Sequence, residues 1–303
     1  VPGWPADPVV MSPRFDLADL RLFILVAEEK SLTRAARAMP LSLAAASLRI
    51  KALEARLGLR LLYREPTGVT LAPAGLTLLR HARRMMRHAA LLQSAMDRHR
   101  QEITGHVRIY ANTTAVSEFM PAVLRDFLRG HPAISVTLEE KLNPDIAQGV
   151  RDGAADLGVV AGPVAVRGLR VIPFSTDRLV VAVAHGHALA AQSGVRFAAT
   201  LDYPQVGMHA GSSLLHFLEQ QAAEAGRAPQ WRVQVSGFDA LCRMVEAGVG
   251  IGILPASAAR RHQAGLTLLD LDEAWARRER SIVLRQPAPR YVQALIAGIR
   301  AAQ

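Results

Sequence analysis

Between residues 31 and 64 the chain collects side chains suited to a polyanion. Ser42 and Ser47 offer hydroxyls, Lys51 an ammonium, and Arg34, Arg49 and Arg64 guanidinium groups. Cations of this kind neutralise phosphates, and hydroxyls donate to phosphate oxygens or base edges. Leu43, Ala44 and Leu48 fall on the same side as Ser47 and Lys51. They carry no hydrogen-bonding group, so toward DNA they supply only contact with thymine methyls, or a shape. These types imply a surface that reads a duplex through Ser42, Ser47, Lys51 and apolar contacts, with Arg34, Arg49 and Arg64 set on phosphates.

The element that must position them is a helix. Ser42 is an N-cap residue, able to satisfy an orphan backbone N–H. Ala46, Ile50, Leu53 and Leu57 follow at steps of four, three and four, which puts them on one inward face. Gly58 ends the helix as a C′ glycine can. A short alanine-rich helix precedes it, with Ala35, Ala36 and Met39 for close packing, and Pro40 keeps the two apart. Together they make a helix-turn-helix, whose second helix enters the major groove. Residues 16–29 give a first helix capped by Asp16, with Leu20, Phe23, Ile24 and Ala27 inward. Leu61–Arg64 and Val69–Leu71 flank the turn Glu65-Pro66-Thr67-Gly68, a hairpin.

Composition agrees with a polyanionic partner. The 303 residues carry a formal net charge of +10, with a sequence pI of about 10.8. Half are hydrophobic, and the length suffices for two or three domains. The lone cysteine, Cys242, excludes an intramolecular disulfide and falls in an apolar pattern. No apolar run is long enough to span a bilayer, and no secretory core opens the chain. Residues 1–13 read as a loose tail, or as sequence upstream of a start at Met11.

From Pro73 to about Glu102 the pattern is one long helix. Leu78, Ala82, Met85, Ala89, Leu92 and Met96 alternate steps of four and three, a heptad seam that needs a partner helix. Arg80, Arg83, Arg84 and Arg87 lie on its polar side and read as a solvated face. Beyond residue 103 strands and helices alternate: Val107–Ala111, a helix through Leu128, Ile134–Leu138, a helix from Pro144 to Gly153, and a buried strand Asp156–Val160. That order implies a mainly parallel sheet. A second set follows, with strands near 179–184, 205–208, 232–236 and 250–254 and helices near 213–225 and 238–247. Ile282–Leu284 and a helix over 290–300 close the chain.

Enzyme motifs are missing. There is no Gly-x-Ser-x-Gly elbow, Walker loop or His-Glu-x-x-His. His185-Gly186-His187 lacks further clustered ligands and reads as a loop. Gly248-Val249-Gly250-Ile251-Gly252 lacks the dinucleotide spacing and marks a strand with close backbone approach.

The N-terminal residues resemble LysR-type transcriptional regulators. The resemblance rests on Leu22-Phe23, Ser31-Leu32-Thr33-Arg34-Ala35-Ala36, Leu41-Ser42 with Ala45 and Ser47, Ile50, Leu53-Glu54, Leu57-Gly58, Leu61-Leu62-Tyr63-Arg64, Gly68-Val69 and Ala74-Gly75. Asp156-Leu157-Gly158, His187-Ala188-Leu189 and the glycine-rich run ending at Pro255 extend it. It implies a winged helix-turn-helix over 14–72, a linker helix over 73–102, and an α/β two-lobed periplasmic-binding-protein-like effector domain over 103–303. Lobe I would hold about 103–174 and 268–303, lobe II about 175–267. Thr33 joins the DNA-facing set, the hairpin becomes a wing that sets Arg64 on the backbone or minor groove, and the linker helix pairs antiparallel with its twin. This chain departs from the family at Leu43-Ala44, where Gln-Pro is common, at Leu48, often Arg, and at Ala72, usually a Thr cap.

In such two-lobed domains a ligand lies outside the strand C-termini, facing helix starts. That selects Asn112, Thr113 and Thr114, Ala161, then His209, Ser212 and Ser213, and Ser236 with Phe238. Hydroxyls and free N–H groups there suit a carboxylate or another small anion. The expected molecule is a cytoplasmic transcriptional regulator without cofactor, metal or catalytic role. Its partners are promoter DNA, a small-molecule effector, itself as homodimer or homotetramer, and RNA polymerase as a further contact, with no membrane. The rival is a two-lobed solute-binding protein, which has no use for a helix-turn-helix.

Overall fold

The computed structural model describes residues 15–65, 68–96 and 105–301, in two compact units that divide between Gln93 and Ser94. The N-terminal tail, the hairpin tip at 66–67 and the expected end of the linker helix at 97–102 lie outside the described residues. In the first unit α1 (Leu17–Glu29), α2 (Leu32–Ala38) and α3 (Leu43–Leu57) precede β1 (Leu62–Glu65), β2 (Gly68–Leu71) and α4 (Pro73–Met96). Asp16 and Asp19 form a capping box at the start of α1, and Ser31 caps α2. Ser42 Oγ accepts from Ala45 N at 3.1 Å, and Gly58 ends α3 in the left-handed region. Leu22, Phe23 and Val26 meet Ala35, Ala36, Ala46, Ile50 and Leu53 in one core. The antiparallel wing pairs Leu62 with Leu71 and Glu65 with Gly68. Glu54 Oε1 accepts from Leu61 N (2.8 Å) and Leu62 N (3.1 Å), tying wing to α3.

The expected seam on α4 divides in two. Ala82 is fully buried because it packs on Leu20 and Ile24 of its own subunit, and Leu78 packs there too. Ala82 is thus unavailable to a partner helix, and Leu78 is partly covered. Met85, Leu92 and Met96 stay exposed, Leu92 at 64% and Met96 at 54%; Ala89 is half-buried. Arg83 also leaves the solvated face expected of it: it is mostly buried and pairs with Glu28 at 3.2 Å.

The second unit carries β3 (Gly105–Ala111), α5 (Met120–Gly130), β4 (Ile134–Glu140), α6 (Asn143–Asp152), β5 (Leu157–Ala161) and β6 (Arg170–Ala184). It continues with β7 (Gly194–Val195), α7 (Phe197–Thr200), β8 (Pro204–Met208), α8 (Ser213–Glu224), β9 (Gln230–Val235), α9 (Phe238–Glu246) and β10 (Ile251–Pro255). Then come α10 (Ala256–Ala259), β11 (Leu266–Leu271), β12 (Arg277–Leu284) and α11 (Arg290–Ala301). Strands order as β4-β3-β5-β12-β6-β10-β8-β9, with β11 on β6 and β7 on β11. The triplets β4-β3-β5 and β10-β8-β9 are parallel, while β6 and β12 run antiparallel to their neighbours. Each triplet anchors its own buried core.

The strand β6 and the segment between β11 and β12 join the lobes. β6 pairs with β12 through Arg178, then with β10 and β11 from Leu179 onward. The outward crossing therefore falls at 178–179, not near 174. The return lies between Leu271 and Arg277: residue 268 sits inside β11, which belongs to lobe II. A π-turn, Ala115–Phe119, leads into α5 beside the end of β3.

Candidate functional site

In the first unit α3 divides its residues by face. Ala46, Ile50 and Leu53 are buried, while Ser42, Leu43, Ala44, Leu48 and Lys51 are exposed, Leu48 at 70%. Ser47 lies at the border and accepts from Arg64 Nη1 at 3.0 Å, which brings the wing arginine beside the helix that would read bases. Thr33 and Arg34 are exposed on α2; Arg34 Nε pairs with Glu29 at 2.8 Å, and Nη2 donates to the Glu29 carbonyl. An exposed pair of this kind is weak and exchanges readily with a phosphate.

Arg49 is different. Its Nε meets Asp19 Oδ1 at 2.6 Å and its Nη2 meets Asp16 Oδ2 at 2.7 Å. Arg56 Nη2 reaches the other Asp19 oxygen at 2.6 Å. Asp19 is only 2% exposed. Burial by itself would raise its carboxyl, but the Asp16 N–H and the two guanidinium groups outweigh that and hold it below its ordinary value. The Arg49 charge is thus spent clamping α3 to the start of α1. This corrects the expectation that it lies on a phosphate.

In the second unit the ends of β3 and β5 face α8 across the crevice. Asn112, Thr113, Thr114, Ala161 and Ser213 line a cavity of about 30 Å³ there. Much of their polar capacity is used, part of it between the lobes. Thr113 Oγ1 donates to Glu140 Oε1 (2.5 Å) and lies 3.2 Å from Ser212 Oγ. Ser213 Oγ accepts from Asn143 N at 2.9 Å, and Asn112 Nδ2 donates to Asn143 Oδ1 at 3.2 Å.

Four expected residues are placed elsewhere. Ser212 is fully buried, caps α8 through Leu214 N at 3.2 Å, and does not line the cavity. His209 sits outside it, with Nε2 3.4 Å from Glu140 Oε1. Ser236 is exposed and away from the cavity; Phe238 is a core residue of lobe II, 4% exposed. An aromatic one position after a helix-starting glycine faces its own lobe's core, since α9 must bury that side.

The residues missed lie mainly on β6 and β12. Asp177, Arg178 and Leu179 from β6, Arg278 and Arg280 from β12, Leu214 from α8 and Pro255 complete the lining. Asp177 pairs with Arg280 and accepts from Ser257 Oγ at 2.5 Å; Arg178 pairs with Asp270 at 2.8 Å. Arg278 is 9% exposed, donates from Nη2 to the Ala161 carbonyl (2.8 Å), and lies 3.9 Å from the Phe217 ring centroid. The run Arg277-Arg278-Glu279-Arg280, charged at the head of an apolar strand, was the available signal. His185 engages Thr267 Oγ1 (3.0 Å) and the Ala264 carbonyl (3.1 Å), so it is held as part of a loop.

A helix-turn-helix with a wing, carried on the same chain as a two-lobed α/β domain, defines a DNA-binding regulator with its own sensor. Family models agree: residues 17–76 match "Bacterial regulatory helix-turn-helix protein, lysR family" and residues 100–303 match "LysR substrate binding domain". The chain belongs to the LysR family of transcriptional regulators, which are not enzymes. A "Probable hydrogen peroxide-inducible genes activator" of Mycobacterium avium is 29% identical over 259 residues, covering 82% of each chain. A full-length cysteine-to-aspartate variant of OxyR from Pseudomonas aeruginosa shares the fold with a TM-score of 0.75 at 22% identity, covering 94% of this chain and 95% of that one. Full-length CbnR, solved in complex with its target DNA, gives a TM-score of 0.62 at 21% identity, covering 95% of this chain and all (100%) of that one. Among the described residues no helix is long and apolar enough to cross a membrane.

Proposed function

We propose that this regulator binds promoter DNA as a homodimer or homotetramer and that a small anion held between the lobes of its sensor alters that binding. The observation that carries the DNA half is the division of α3: one face fills the core, and the other leaves Leu43, Ala44, Leu48 and Lys51 in solvent. Thr33, Arg34, Ser42, Ser47 and Arg64 border that face. Arg34, Lys51 and Arg64 meet phosphates; Ser42 and Ser47 donate to backbone or bases; the leucines pack on thymine methyls. CbnR, solved on its target DNA, supports the same use of the fold. Exposed Met85, Leu92 and Met96 on α4, with Ala89, supply the self-association surface. In the sensor Asn112, Thr113, Thr114, Ala161 and Ser213 border the effector.

The peroxide in the mycobacterial relative's name is not carried over. Cys242 is fully buried, and burial pushes its thiol up to about 11, so little thiolate exists at neutral pH.

Selection of duplexes from a random pool, followed by binding at stepped salt, tests the reading. Three cations on each of two heads predict a slope of log K on log salt of about −5. Uracil in place of thymine in the half-sites should then weaken binding. Absence of duplex binding, or a slope near zero, would refute the DNA reading; unchanged affinity with uracil would refute methyl contact.

A further inference from the structure

The cavity between the lobes is lined by three arginines and one aspartate. Asp177 is matched by Arg280, and Arg178 by Asp270. Arg278, only 9% exposed, has no carboxylate within ion-pair distance among the described residues. Its Nη2 is partnered by the Ala161 carbonyl, but Nε and Nη1 meet no acceptor among the described residues. Those two nitrogens carry three of the five guanidinium hydrogens. A buried cation with open donors is costly unless something of opposite charge completes it.

The surroundings hold the guanidinium closely at the edge of the cavity. Gly162, at φ +77°, approaches the guanidinium so closely that a Cβ there would lie 2.7 Å from Nε. The Phe217 ring covers Arg278 at 3.9 Å and fixes its plane. Opposite, Ser213 and Leu214 at the start of α8, a helix of 12 residues, line the same cavity. Leu179, Leu214 and Pro255 give the remaining wall an apolar character. Burial draws the guanidinium down to about 10, so it remains a cation at neutral pH.

We infer that Arg278 is the charge-receiving group of the sensor, and that its ligand is a compact organic carboxylate whose oxygens meet the Nη1–Nη2 edge of the guanidinium while its short apolar body lies against Leu179, Leu214 and Pro255. This rests on the reading of the crevice as an effector site and names its chemistry. A planar carboxylate matches the guanidinium fork in a way that an ammonium side chain cannot reproduce. Arg278 belongs to a strand of lobe I and stacks on α8 of lobe II, so the carboxylate binds where the lobes already touch.

The test uses the full chain, as wild type, Arg278→Lys and Arg278→Gln. Thermal unfolding is followed with sodium acetate, propionate, benzoate, sulfate or phosphate, each against sodium chloride of equal ionic strength. The wild type should show a saturable rise in Tm with at least one carboxylate. Arg278→Lys should need about tenfold more of it or greater, and Arg278→Gln should show no saturable rise. In chloride alone Arg278→Gln should unfold no lower than wild type, because an uncompensated buried charge has been removed. An equal carboxylate response in Arg278→Gln, a response to sulfate or phosphate only, or a lowered Tm of Arg278→Gln in chloride overturns the inference. Duplex binding by the wild type is measured in parallel. Its absence defeats the regulator reading, whereas duplex binding without any carboxylate response defeats the assignment to Arg278.

Discussion

Replacing Arg49 by methionine separates two roles that the sequence cannot distinguish. The residue sits on the helix that would read DNA, yet its guanidinium lies between Asp16 and Asp19 at 2.6–2.7 Å. Breaking a fully buried ion pair costs about 3–5 kcal/mol. Two features reduce that here. Arg49 is 34% exposed, so water screens the pair, and Arg56 remains on the other Asp19 oxygen. The expected loss is therefore ~1–2 kcal/mol, which is roughly a 5- to 30-fold rise in local opening. Amide hydrogen exchange of Ile50 and Leu53 in the full chain reads this directly. A double-mutant cycle with Asp19→Asn should show coupling, since the two substitutions remove one contact. The salt dependence of duplex binding should keep its slope. The reasoning is refuted if exchange is unchanged while the slope becomes shallower by about 0.9 per head, the signature of one lost phosphate contact.

Two further outcomes follow from the first unit. The Asp19 carboxyl is held below its unfolded value, so its contribution is complete above about pH 4 and is lost as pH falls through the lower folded value. Exchange protection in α3 should drop over that acid range in wild type and less so in Asp19→Asn; parallel curves would contradict it. Leu92→Lys, at a side chain 64% exposed, should leave the fold within about 0.5 kcal/mol yet shift sedimentation toward monomer. An unchanged assembly would remove α4 from the interface.

The head was largely legible because its signals are local. Ser42, the four-three-four spacing and Gly58 specify α3, and residues Leu43 to Leu57 adopt it. Gly250 was legible as a close approach, and a Cβ there would lie 2.5 Å from the Pro204 carbonyl. The destination of long side chains was not. Arg49 and Arg64 look equivalent as letters; only Asp19, 30 residues earlier in sequence and brought near by packing, turns one inward. Ala82 fits a heptad seam as well as a core, and Leu20 with Ile24 decides between them. In the sensor the strand ends Asn112 to Thr114 could be found from the βα alternation. The charged run 277–280 marked Arg278 as unusual, but its place at the cavity depends on the pairing of β12 with β6, between residues about 100 positions apart such as Arg278 and Asp177.

The crossing of β6 carries one more consequence. Asp177, Arg178 and Leu179 straddle the point where β6 passes from one lobe to the other, and Arg278 and Arg280 stand beside it on β12. The walls of the cavity are thus the fulcrum itself. Any molecule seated there would bear on β6 at the turn between the lobes, where a small adjustment becomes a larger displacement at their far rims.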